Sequence, residues 1–282
     1  MISLTLIAPE RLAARLHEED VLLLDCRKDL ADAGSGPRAF AEAHLPSALR
    51  AELDSDLSDL SKRDLGRHPL PDADEFSATL SRWGWHPARA VVAYDDAGGA
   101  LAAARLWWML RLVGATNVAV LDGGIQAWHA LDLPLGNEVA APATSSVDVR
   151  FDASQMVGYE ELASGVAAGA LLLVDARAAA RYRGEVEPLD RAAGHVPGAL
   201  NRPYADNLDV HGRFKAPALL RAEFGGLIGD VDPRRVVHMC GSGVTACHNL
   251  LAMEHAGLAG SRVFAPSWSG WSSDPSRPIA IG

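Results

Sequence analysis

The chain has 282 residues, 49% hydrophobic and 22% charged, which fits a soluble globular protein of one large domain or two ordinary ones. Its net charge of −10 argues against nucleic acid as a partner, because phosphate binding needs basic surface, yet a locally positive cleft still suits a small anion. No run reaches the roughly 18 apolar residues of a membrane span, Met1-Ile2-Ser3-Leu4-Thr5-Leu6-Ile7 is too short and uncharged for a secretory signal, and three cysteines make neither a disulfide framework nor a metal cluster. No metal, cofactor or membrane partner is expected, and the cytoplasm, as a reducing compartment, is the expected location.

In chain order, Leu22-Leu23-Leu24-Asp25-Cys26-Arg27 reads as a buried strand ending in Asp-x-Arg, followed by the loop Ala43-His44-Leu45-Pro46-Ser47-Ala48. Leu57-Ser58-Asp59 through Arg67-His68-Pro69-Leu70-Pro71 reads as a surface loop. Val91-Val92-Ala93-Tyr94-Asp95 is a second strand, and Gly99 to Leu112 an apolar helix whose Trp107 and Trp108 suit a core or a domain interface. Val120-Leu121-Asp122-Gly123-Gly124 runs a strand into a glycine pair without phosphate-loop spacing. Leu135-Gly136-Asn137 through Ser145-Ser146 is rich in Ala, Pro, Thr and Ser and lacks periodicity, so residues 136–152 are expected to be a linker.

Beyond it the pattern starts again. Leu172-Leu173-Val174-Asp175-Ala176-Arg177 matches the first strand, Gly194-His195-Val196-Pro197-Gly198-Ala199 the histidine loop, and Val236-Val237-His238-Met239-Cys240 the second strand. Val263-Phe264-Ala265-Pro266-Ser267 through Trp271 matches Val120 through Trp128, and the four offsets are 150, 151, 145 and 143 residues. That is a tandem duplication with a period too long for a solenoid. Alternating strands and helices imply an α/β fold in which each domain is a parallel sheet flanked by helices, residues 1–135 and 153–282. The Asp-x-Arg pairs are expected to tie loops at strand ends, and His44 and His195 to fix their loops by hydrogen bonds.

The halves differ where chemistry is expected. At the end of its second strand the first half has Asp95 in place of a thiol; the second has Cys240, in His238-Met239-Cys240-Gly241-Ser242-Gly243-Val244-Thr245-Ala246 between the strand Arg235-Val236-Val237 and a helix from Thr245 to Ala256. A thiol at a helix N-terminus meets N–H groups that favour negative charge, which lowers a cysteine pKa from about 8.5 towards neutrality. Gly241 and Gly243 let several N–H groups converge on one centre. A cysteine phosphatase would need Cys-x5-Arg, but Ala246 stands at that position. Cys247 lies inside the helix and reads as a core residue more than a resolving thiol.

Two copies of Asp-x-Arg and His-x-Pro, with Cys240-Gly241-Ser242-Gly243-Val244-Thr245-Ala246 in the second half, resemble the tandem-domain rhodaneses, the thiosulfate and 3-mercaptopyruvate sulfurtransferases. The resemblance spans essentially the whole chain. It implies a cleft between two rhodanese-like domains and a persulfide on Cys240, passed to a thiol, thioredoxin or cyanide, with Gly241, Gly243, Val244 and Thr245 presenting N–H groups. Thr245 is equally open to a helix-capping role. Gly241-Ser242 after the cysteine resembles the mercaptopyruvate branch rather than the Arg-Lys of thiosulfate-preferring members. In that branch Ser242 implies a proton relay with Asp59 and His68, and Arg181 matches the first arginine that clamps the small anionic donor. The second clamp is expected about nine residues further on, where Asp190 stands, with Arg191 as a possible replacement. Arg183 suits a structural ion pair equally well. Thiosulfate remains the alternative donor, and a regulatory or sulfur-carrier binding module the non-enzyme alternative.

Overall fold

The computed structural model describes residues 5–16, 20–29, 31–32, 34–138, 141 and 144–282; Met1–Leu4 of the amino-terminal stretch and positions 139–140 and 142–143 of the linker lie outside them. The first of two units takes the described residues up to Asp59 together with Pro71–Asp152 and Val210–Phe214. In it lie β1 (Leu6–Ile7), α1 (Pro9–Arg15), β2 (Val21–Asp25), α2 (Ser35–Glu42), β3 (Leu49–Arg50), α3 (Ala73–Arg82), β4 (Ala90–Tyr94), α4 (Ala103–Leu112), β5 (Val118–Leu121) and α5 (Gly124–His129). The strands form one parallel sheet in the order β1-β5-β4-β2-β3. A sheet covered on both faces needs continuously apolar strands, and β4 is buried at all five positions. Leu23, Val92, Tyr94 and Trp128 belong to one core cluster, and Trp107 and Trp108 are buried.

The second unit takes Leu60–Leu70, Ala153–Asp209 and Lys215–Gly282. It contains α6 (Tyr159–Ala167), β6 (Leu172–Asp175), α7 (Ala179–Tyr182), β7 (Leu200–Asn201), α8 (Pro217–Ile228), β8 (Val236–Met239), α9 (Ala246–His255), β9 (Arg262–Val263) and α10 (Ser267–Trp271). Its parallel sheet runs β7-β6-β8-β9. The duplication persists in the strand register: Leu22 pairs with Val91 and Leu172 with Val236, the residues matched by the repeat. Loop Leu60–Leu70, from the first half of the sequence, thus belongs to the unit that carries Cys240.

The charged strand ends hold the loops. Arg27 donates to both Asp25 oxygens and to the Ala43 carbonyl at 2.6 Å. Arg177 donates to both Asp175 oxygens and to the Gly194 carbonyl at 2.7 Å. His44 Nδ1 lies 2.7 Å from the Phe40 carbonyl, and the imidazole stacks on the Phe40 ring. His195 does the same with Tyr182, its Nδ1 2.8 Å from that carbonyl. Both histidines are loop anchors. Among the described residues no helix is long and apolar enough to cross a membrane.

Candidate active site

Cys240 follows β8 directly and is 2% exposed. The Gly243 N–H donates to its Sγ at 3.1 Å. Gly243 has φ +78°, and a Cβ there would collide with the Ala265 carbonyl, so the turn needs a glycine for both reasons. The first turn of α10 grips the cysteine's backbone. Cys240 N–H donates to Ser267 Oγ at 3.1 Å, and the Trp268 and Ser269 N–H groups donate to the Cys240 and Gly241 carbonyls, each at 2.9 Å. Ser267 has φ +53°, a conformation costing a non-glycine residue on the order of 1–2 kcal/mol. Its hydroxyl offsets that by accepting from Cys240 and donating to the Phe264 carbonyl at 3.1 Å.

Gly241, Ser242, Gly243 and Val244 are buried, while Thr245 is half-buried. Thr245 occupies the N-cap position of α9, but its backbone is already helical (φ −72°, ψ −12°) and its side chain makes no capping bond. A cap oxygen reaches back to the first turn from extended backbone, which Thr245 lacks. The capping role is therefore corrected. Cys247 is buried in α9, its Sγ 3.4 Å from the Gly243 carbonyl, as a core thiol.

Beside the loop runs an alternating ladder of charge. Arg177, fixed on Asp175, donates to Glu187 at 3.3 Å; Arg181 Nη2 donates to Glu187 at 2.6 Å and to Asp190 at 3.1 Å; Arg67 Nη1 donates to the other oxygen of Asp190. Burial raises the Asp190 pKa above the ordinary carboxylate value, against the pull of Arg67. For Glu187 the same burial is outweighed by hydrogen bonds from Arg181 and the N–H groups of Leu189 and Asp190, and its pKa is lowered. The ladder ends over Gly241: a Cβ on that glycine would meet Arg67 Nη2 at 2.9 Å and Arg181 Nη1 at 3.4 Å.

Arg181 thus stands beside the cysteine loop. Arg191 does not serve there: its Nη1 donates to the Ser273 carbonyl at 3.1 Å. Arg183 is an exposed ion-pair partner of Glu185. Asp59 is half-buried in the first unit; His68 is half-buried in the second, as part of the same loop as Arg67.

Two side chains at the loop, Ser267 and Arg67, escape a reading by motif. Ser267 had a signal, because the repeat aligns it with Gly124, which has φ +58°. A serine matched to a glycine at a sharp turn asks what its hydroxyl holds. Arg67 had none, lying 173 residues before Cys240 in a stretch without periodicity.

A model of the Rhodanese-like domain matches residues 8–131 and again residues 159–274. The chain is 44% identical over 284 residues to a probable 3-mercaptopyruvate sulfurtransferase of Pseudomonas aeruginosa, with 100% of both proteins covered. It is 37% identical to a putative thiosulfate sulfurtransferase of Mycobacterium tuberculosis, covering 98% of this chain and 97% of that protein. Among solved structures, the 3-mercaptopyruvate sulfurtransferase from Leishmania major gives a TM-score of 0.84 at 30% identity, covering 95% of this chain and 74% of that one.

Proposed function

Because the chain belongs to the rhodanese-like family, with the domain present twice, and is a sulfurtransferase, we propose that it moves sulfur from 3-mercaptopyruvate to a thiophilic acceptor through a persulfide on Cys240. In the first half-reaction the Cys240 thiolate attacks the donor's sulfur. The S–S bond forms as the bond from that sulfur to the donor's C3 breaks. The electron pair leaves on carbon as the enolate of pyruvate, which takes up one proton to become pyruvate. We assign that proton delivery to Ser242, with His68 and Asp59 behind it. In the second half-reaction the outer sulfur passes to cyanide, a small thiol or thioredoxin, and the S–S electron pair returns to Cys240. Both steps balance without a cofactor or net redox change.

The observation that carries this reading is the Gly243 N–H aimed at Cys240 Sγ, with Arg181 beside the next residue. The N–H favours negative charge on sulfur, and N–H groups of Gly241, Val244 and Thr245 are assigned to the persulfide anion. The guanidinium suits the planar carboxylate of an α-keto acid. The free thiols Cys26, Cys240 and Cys247 favour the cytoplasm as the site of action.

The test is kcat/KM for 3-mercaptopyruvate and thiosulfate, with cyanide as common acceptor, for the native protein and Cys240→Ser. A preference for 3-mercaptopyruvate, lost completely in C240S, is expected. A preference for thiosulfate would install the second donor, in line with the Mycobacterium tuberculosis relative. Turnover retained in C240S would overturn the persulfide.

A further inference from the structure

We propose that Arg67 is the second cationic arm that holds the donor's carboxylate, supplied by loop Leu60–Leu70 in place of an arm nine residues beyond Arg181, and that Asp190 is the group that aims it. The proposal rests on the reading of Cys240 as the thiol that accepts sulfur from a small carboxylate donor.

The position an arm would occupy beyond Arg181 is filled by Asp190, whose side chain is 3% exposed and cannot attract an anion. Its two oxygens instead bind one guanidinium each, Oδ1 accepting from Arg67 Nη1 and Oδ2 from Arg181 Nη2 at 3.1 Å. Each arginine therefore spends one edge on Asp190 and turns another towards the loop. Arg67 Nη2 and Arg181 Nη1 are the nearest groups to the missing Cβ of Gly241. Two planar cations held side by side next to the nucleophile suit the two oxygens of one carboxylate. Gly241 shows no left-handed backbone requirement; a side chain there would occupy the space in front of Arg67.

The loop that carries Arg67 is built into its unit at three points. Tyr159 Oη donates to the Asp64 carbonyl at 2.6 Å. Gly66, at φ +88°, passes so close to Pro266 that a Cβ would collide with the proline carbonyl. The Arg67 N–H donates to Ser269 Oγ at 3.0 Å, and the Ser269 N–H donates to the Gly241 carbonyl. One serine thus sets the distance between the arginine's backbone and the cysteine loop. A guanidinium on such a base loses little further freedom on binding, which favours a recognition role over a solvated surface charge.

The experiment uses the full chain with Arg67→Gln, Arg67→Lys, the charge swap R67D/D190R, and Arg191→Ala as control. Two readouts are taken: KM and kcat for 3-mercaptopyruvate, and the rate of Cys240 alkylation by iodoacetate relative to iodoacetamide, followed by mass spectrometry. R67Q is expected to raise KM by about 10- to 100-fold, the value of one charge-assisted hydrogen bond, with kcat changed far less. It should lower the iodoacetate-to-iodoacetamide ratio as well. R67K should recover part of both losses, and R191A should change neither. If R67Q fails to fold, R67D/D190R restores the ion pair with the cation moved to the other segment, and is expected to keep the iodoacetate preference. An alkylation ratio unchanged in R67Q, or in a folded swap one that matches neutral-site values, overturns the proposal. If the native protein does not turn over 3-mercaptopyruvate but R67Q still abolishes the iodoacetate preference, the arm stands and the donor assignment falls.

Discussion

After β4 the chain places Asp95 where, after β8, it places Cys240, and the helix after the next strand, α5 in one unit and α10 in the other, closes on both in the same way. The Ile125 N–H donates to the Asp95 carbonyl at 3.0 Å, and the Trp268 N–H to the Cys240 carbonyl at 2.9 Å. The contents of the two loops differ. Asp95 Oδ1 accepts from the Ala97 and Gly99 N–H groups at 2.9 and 2.7 Å, and Oδ2 from those of Leu101, Ala102 and Ala103 at 3.2–3.4 Å. Burial raises the Asp95 pKa, against the pull of these donors. The first loop is an anion cradle filled from within; the second holds a thiol and has arginines beside it. The closing bond to the loop's first carbonyl is therefore a property of the repeat, while the filled cradle belongs to the first unit and a single N–H reaches the sulfur in the second. In the function proposed above, the central side chain and the arginines beside it set the two loops apart.

The sharpest way to break this comparison is a transplant. In D95C/C240S the thiol moves to the first cradle, where the residue before the histidine-stacked ring is Ala39 ahead of Phe40 instead of Arg181 ahead of Tyr182. We expect no sulfur transfer to cyanide from either donor, the same complete loss as in C240S alone. Turnover in the double variant would mean that the cradle and a thiol suffice, and that the arginines are dispensable.

The next effect is on stability. Asp95→Ala strands five backbone donors around a fully buried carboxylate, those of Gly99, Ala102 and Ala103 themselves buried, and a loss of about 3 kcal/mol or more is expected in denaturant unfolding, since each unmet buried donor costs about 1–3 kcal/mol. Cys240→Ala removes only a soft acceptor from Gly243, with an expected loss of about 1 kcal/mol. Equal losses would show that the first loop refills its cradle with water and that its carboxylate is not structural.

The features that local pattern determines were readable in the sequence: apolar strands, Asp-x-Arg at their ends, the anchoring histidines and the cysteine that opens a glycine-rich loop. The α4 boundary was not. The apolar pattern starts at Gly99, but the helix starts at Ala103, because the Asp95 carboxylate takes the N–H groups of Gly99, Leu101, Ala102 and Ala103. Thr245 looked like a cap, but the loop delivers it in helical conformation. Arg67 was hidden for a different reason. Its place depends on Tyr159, Pro266 and Ser269, and no local rule links a loop before residue 70 to a helix after residue 266.

A last difference between the units lies two residues before the loop, where β8 carries His238 and β4 carries Ala93. His238 is fully buried with Nε2 3.2 Å from Ser261 Oγ, and burial lowers its pKa from 6.5 to about 3. The folded protein therefore keeps the imidazole neutral, while the unfolded chain protonates it near its ordinary value. Above pH 6.5 the two states bind the same number of protons at this site, and it adds no pH dependence. As pH falls below that, the unfolded chain takes up a proton the folded one refuses. Stability then drops by up to about 1.4 kcal/mol per pH unit, until the folded histidine itself titrates. Unfolding midpoints measured from pH 7 to pH 4 should fall more steeply in the native protein than in His238→Gln, which retains a group able to bond Ser261. Parallel curves would assign the acid loss to the carboxylates of the ladder and leave His238 without a part in it. A shallower curve in H238Q would show that the strand bearing the cysteine carries an acid sensitivity its counterpart in the first unit, with alanine at that position, does not share.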